Sequence, residues 1–136
     1  MLLRLIMGVF IGLHGLVHLL YAGQSRRLFE LQPGMVWPDG SWVFSKLLGD
    51  EATRLLASLC YVLSAIGFAT SGIGILLGQA WWHPAVVGSA AISAMLVILF
   101  WNGKTQKLAD QGLIAVLINA AILVTVLVMR WPNLGF

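Results

Sequence analysis

Residues 2–22 read LLRLIMGVFIGLHGLVHLLYA, an apolar run broken by one charge, Arg4, and by two imidazoles, His14 and His18. A helix needs roughly 20 residues to cross a hydrocarbon core of about 30 Å, so this run is long enough to span a bilayer. Three further runs of the same kind follow, from Ala52 to Gly78, Trp82 to Trp101 and Leu108 to Met129. The composition of the whole chain agrees with them. Of 136 residues, 60% are apolar and 10% charged, and the mean hydropathy is +0.92, whereas soluble domains are about half apolar and a quarter charged. So few charges cannot cover a 14.8 kDa body in water, which excludes a soluble globule. The expected architecture is all-α: an integral membrane up-down four-helix bundle, one domain over residues 1–136, with a long first loop carrying a short interfacial helix.

Tryptophan placement follows the same plan, because indoles favour the headgroup level. Trp81, Trp82, Trp101 and Trp131 fall at predicted span ends, and Trp37 and Trp42 lie in the first loop. Small residues let helices approach where no hydrophobic force drives them together. Gly8 and Gly12, Gly74 and Gly78, and Ala90 and Ala94 have the spacing for such seams. The first loop, Gly23 to Glu51, opens with the basic amphipathic stretch Arg26 to Leu31 and turns at Pro33-Gly34 and Trp37-Pro38-Asp39-Gly40. Ser41 or Asp39 is expected to cap a short helix with Trp42, Phe44, Leu47 and Leu48 on its apolar face. Gly49-Asp50 should end it and start the second span, with Asp50 as N-cap. This loop is either a covered linker or a lid and docking surface.

The net charge of +3 and pI near 9.5 come from basic residues scattered between apolar runs, so they imply topology and no nucleic-acid partner. Loops one and three hold Arg26, Arg27, Lys46, Arg54, Lys104 and Lys107, against Arg4 and Arg130 on the other side. Positive-inside counting then puts both termini outside and the long loop in the cytoplasm, in a multi-pass protein of the inner (plasma) membrane. The opening Met1 to Arg4 also suits a signal peptide, but the first run is expected to be retained as a span. Cys60 is the sole cysteine, which excludes an internal disulfide and a cysteine metal cage.

The clearest candidate functional residues are His14 and His18, four apart and therefore on one helix face with Cβ atoms about 5–6 Å apart. Imidazoles in hydrocarbon are costly unless bonded, so an intramembrane histidine is a functional candidate. They either line a ligand pocket or tie helices together through Ser58, Ser93, Asn119 or a water. Two histidines lack a third ligand for zinc, and the remaining histidine, His83, lies in a turn at the far end. Single-histidine ligation of a haem or chlorophyll-type pigment stays open, and the cofactor, if any, is undetermined. Tyr21, Gln24, Ser58, Tyr61, Asn102, Asp110 and Gln111 are expected to cluster near His18 as a half-polar pocket. Asp110 either relays protons with His18 or caps its helix and pairs with Lys107. Asn119 is expected to make an interhelical hydrogen bond.

The stretch Leu2-Leu3-Arg4-Leu5, Gly8, Phe10 and His14-Gly15-Leu16-Val17-His18-Leu19 resembles the opening helix of DoxX-like bacterial membrane proteins. The resemblance implies a four-helix bundle, in some members tied to quinone-linked sulfur oxidation or to membrane redox-stress complexes. The family's second span usually carries a glutamate before Gly-Gly, whereas this chain reads Ala65-Ile66-Gly67-Phe68-Ala69 with no acid. An activity that needs that carboxylate does not carry over. Two functions follow as expectations. The first is a non-catalytic membrane subunit or accessory protein of a larger respiratory or photosynthetic complex, with lipid, other membrane subunits or its own copies as partners. The alternative is a small redox or ligand-binding protein with a His-lined pocket for a quinone, lipid or pigment.

Overall fold

The computed structural model describes residues 1–35, 37–38, 40–105 and 108–135. Four helices run in chain order: α1 Leu2–Ser25, α2 Ser45–Leu77, α3 Trp82–Leu99 and α4 Leu113–Leu123, which continues into a π-helical turn at Val124–Val128. No strand occurs among the described residues. Neighbouring helices pack in sequence order, α1 on α2, α2 on α3 and α3 on α4. The pairing is antiparallel, since Arg4 at the start of α1 reaches Ile75 at the end of α2 and Ser58 near the start of α2 reaches Ala22 near the end of α1.

On α1 and α2 most inward positions are small or polar and most bulky aliphatic side chains face outward, while α3 and the fourth segment also bury Val86, Leu96, Ile122 and Val126. On α1 the buried stripe is Gly8, Ile11, His14, Gly15, His18 and Ala22, at helical spacing, while Leu5, Leu13, Leu16 and Leu20 are exposed. On α2, Ala57, Ser58, Tyr61, Ser64 and Ala65 are buried and Leu55, Leu59, Leu63 and Ile66 are exposed. A water-soluble helix has the opposite polarity. Three helices, α1 to α3, are long and apolar enough to cross a membrane, and the helical piece Leu113–Val128 is a shorter apolar one.

The fourth segment differs from the unbroken run expected from Leu108 to Met129. Leu108–Gln111 forms a separate 3₁₀ turn, and Gly112, at φ +86°, sets the break before α4. A β-carbon there would stand 2.8 Å from Val97 Cγ1, so a glycine suits both the left-handed backbone and the close contact.

The α1–α2 seam uses Gly72 instead of the expected Gly74 and Gly78. A β-carbon on Gly72 would lie 2.7 Å from the Gly8 carbonyl oxygen and 3.0 Å from the Gly12 nitrogen, so the two backbones touch. Gly74 sits about 200° further round the helix and faces the Trp81 ring, and Gly78, at φ +71°, is the C-cap of α2. There Arg4 closes the seam: its Nε donates to the Ile75 carbonyl at 2.8 Å and its Nη2 to that of Leu76. A cation on the last carbonyls of a helix also meets the negative end of its dipole.

The first loop folds against the opposite end of the bundle. Gln24 clamps it by accepting from Leu31 N and donating to Met35 O, both at 2.8 Å. Ser41 Oγ donates to the Leu99 carbonyl, Trp42 N to that of Trp101 at 2.8 Å and Trp42 Nε1 to that of Ile98 at 2.9 Å. The loop therefore covers the orphan carbonyls that end α3. Ser41 Oγ also accepts from Val43 N and Phe44 N in the turn before α2, so it holds that turn, whereas the N-cap position itself falls on Phe44 with no side-chain bond; Asp39, the other candidate cap, lies outside the described residues. The short helix ends at Gly49 (φ +76°) within α2, where Thr53 Oγ1 bonds back to the Gly49 carbonyl at 2.7 Å. Leu47 and Leu48 are exposed on it. Trp37, expected at the headgroup level, is instead 3% exposed in the core, because the loop drives it between Tyr21 and Tyr61.

Gly72→Ala should loosen the α1–α2 contact and destabilise the fold by about 1–3 kcal/mol, the usual cost of overpacking. Gly12→Ala, whose β-carbon meets nothing within 4 Å, should be neutral or slightly stabilising. Unfolding in detergent micelles followed by far-ultraviolet circular dichroism checks the contrast.

Candidate functional site

His14 and His18 project into the bundle because they lie on the buried stripe of α1, and Gly15 between them lets α2 come close. A β-carbon on Gly15 would stand 2.9 Å from Phe68 Cβ and 3.1 Å from the Ala65 carbonyl. The Phe68 ring packs on both histidines, edge-on to His14 at 4.7 Å and tilted to His18 at 5.1 Å. Hydrocarbon thus faces the pair from α2.

The polar atoms of the pair are answered from α3 and α4. His18 Nε2 lies 2.6 Å from Ser93 Oγ, and His18 Nδ1 lies 3.0 Å from the His14 carbonyl. Asn119 Nδ2 donates to Ser93 Oγ at 2.7 Å, and Asn119 Oδ1 lies 2.9 Å from His14 Nε2. For neutral rings these contacts assign the hydrogens. A carbonyl only accepts, so His18 carries its proton on Nδ1, and its bare Nε2 accepts from the Ser93 hydroxyl. An amide oxygen only accepts, so His14 carries its proton on Nε2. The bonds then run one way round a closed circuit: His14 to Asn119, Asn119 to Ser93, Ser93 to His18, and His18 back to the His14 carbonyl. His18, Ser93 and Asn119 are fully buried and His14 is 6% exposed. The circuit ties α1 to α3 and α4 through both histidines.

An aromatic layer lies between this circuit and the loop-covered end. Tyr21, Trp37 and Tyr61 stand in mutual contact with ring centroids 5.2 to 5.7 Å apart, and Tyr61 is 6.3 Å from His18. Tyr61 Oη and Trp37 Nε1 are buried with no hydrogen-bond partner among the described residues. Ser58 is spent on the Ala22 carbonyl at 3.3 Å.

Of the expected cluster, His14, His18, Tyr21 and Tyr61 come together, with Ser58 beside them. Asn102 is exposed, and its Oδ1 accepts from Lys104 N at 2.9 Å in a local turn. Asp110 is half-buried in the 3₁₀ turn. It forms no relay with His18, both of whose ring nitrogens are engaged elsewhere. Lys107, its alternative partner, lies outside the described residues. His83 is exposed in the first turn of α3, about 15 Å of helix rise from Ser93. No group of three or more His, Cys, Asp or Glu side chains able to hold a metal occurs among the described residues. Sequence reasoning passed over Phe68 as the floor of the site. Its spacing from Tyr61, Ala65 and Gly72 is the signal that places it on the inward stripe.

No protein-family model matches the chain, and no curated protein or solved structure matches it significantly.

Ser93→Ala and Asn119→Leu should each destabilise the protein by about 1–2 kcal/mol, because each leaves buried donors unbonded. The double variant should cost less than the sum, since either change already opens the circuit. A double-mutant cycle in micelles should give a coupling of about 0.6 kcal/mol or more, and strict additivity would contradict the closed arrangement.

Proposed function

We propose that this chain is a multi-pass integral membrane protein in which α1 to α3 and the shorter fourth helical segment all cross the bilayer. It acts as a non-catalytic subunit or accessory protein of a larger membrane complex. The observation that carries the reading is the closed circuit of His14, Asn119, Ser93 and His18. Polar side chains that bond one another rigidify a core, and the outward Leu and Ile faces are what the bundle offers to lipid and neighbouring helices. The exposed Leu47 and Leu48 beside the cap of α3 suit a loop resting in the interface plane. On the positive-inside count, that loop faces the cytoplasm and both termini face outward, in a bacterial inner membrane.

A second reading, a small DoxX-like protein that binds a quinone or pigment, is favoured by one observation. Tyr61 Oη, beside His18, and Trp37 Nε1, on the Tyr61 ring, are two buried donors lacking an acceptor among the described residues, and a carbonyl oxygen would satisfy them.

Protein purified from its native membranes in mild detergent separates the two. The subunit reading predicts co-migration with other membrane subunits on a native gel, a flat visible spectrum, and no quinone in a solvent extract. Visible absorbance or stoichiometric quinone that disappears in His18→Ala and Tyr61→Phe would replace it with the ligand-binding reading.

A further inference from the structure

The end of the bundle that holds Arg4 has a cleft that the polar circuit does not use. α1 and α4 are joined by the His14–Asn119 bond, and beyond it they part around a groove of about 460 Å³. Phe10 and Ile11 wall it from α1, Val86 closes it from α3, and Ile122 and Val126 wall it from α4. Its volume falls in the range of small-molecule sites, about 300–1,000 Å³. From Ile118 to Val126 the wall rises about 12 Å. The π turn Val124–Val128 forms its upper rim, and such turns are frequent at functional positions.

A second hollow of about 280 Å³ continues from the first, sharing Trp82, Val126 and Trp131 and flanked by His83 and Arg130. Apolar lining thus gives way to cationic and hydrogen-bonding groups over a short distance. Arg4 at this end is committed to the α2 carbonyls, but Arg130 is exposed and has no hydrogen bond or ion pair among the described residues. The described carboxylates, Glu30, Asp50, Glu51 and Asp110, all belong to the other end. A site that is apolar below and basic above complements a molecule with one hydrocarbon tail to insert and one anionic head.

We propose that this slot binds one anionic glycerophospholipid, with an acyl chain in the α1–α4 groove and the phosphate head against Arg130 and His83. Arginine suits the head because its fork of donors matches phosphate oxygens. Tryptophans 82 and 131 sit where the chain meets the head, the depth that indoles favour. The inference rests on the membrane reading above but not on the subunit reading.

Native mass spectrometry of the detergent-purified protein, offered equimolar phosphatidylglycerol and phosphatidylcholine of matched chains, tests it. The expected result is one retained lipid, with phosphatidylglycerol preferred about tenfold, equivalent to about 1.4 kcal/mol. Arg130→Gln should bring that preference to about unity while a lipid is still held. Ala121→Phe, which fills the groove, should remove the lipid with the far-ultraviolet spectrum unchanged. A graded ladder of adducts without preference, equal selectivity in wild type and Arg130→Gln, or a groove covered by a second copy would overturn the proposal. Recovery of the protein in the soluble fraction without detergent would instead overturn the membrane reading itself.

Discussion

Two imidazoles sunk among hydrocarbon side chains must find partners, and the way His14 and His18 find them constrains much of the bundle. Four hydrogen bonds connect three helices in one direction of donation, and no member can be replaced without leaving a buried group unbonded. Because the circuit needs α3 and α4 at fixed depth relative to α1, it fixes the register of the helices.

The remaining packing is arranged around that constraint. Glycines 8, 12 and 72 bring the α1 and α2 backbones together, and Gly15 lets Phe68 reach under both imidazoles. Most of the large aliphatic side chains of α1 and α2, displaced from the seam, point outward. The polarity that makes this bundle unsuited to water thus has the same origin as its specificity: small and hydrogen-bonding groups are used inside, where geometry matters. The two ends are then finished differently. At one, Ser41 and Trp42 of the first loop cap the carbonyls of α3. At the other, Arg4 caps α2 and leaves Arg130 beside the cleft.

Much of the helix plan was legible because apolar runs and the four-residue spacing of His14 and His18 are local properties of the chain. Ser93 and Asn119 were legible as candidates for the same reason: each is one of the few polar residues in an apolar run. What the sequence left open was three-dimensional phase. Gly72 and Gly74 are both plausible seam residues until the rotation of α2 is known. Trp37 reads as interfacial until the loop is seen to fold inward. Asn102 and Asp110 are near His18 by depth arithmetic, but depth says nothing about which side of a helix end a side chain leaves from. The break at Gly112 was missed because one positive-φ glycine does not interrupt a hydropathy average.

The most direct test of the circuit is the position of its protons. Nitrogen-15 solid-state magnetic resonance of imidazole-labelled protein in lipid distinguishes protonated from bare ring nitrogens, and His14→Gln and His18→Gln variants assign the signals. The account predicts opposite neutral tautomers, His14 protonated at Nε2 and His18 at Nδ1. The same tautomer at both positions, or a cationic ring at either, would contradict it.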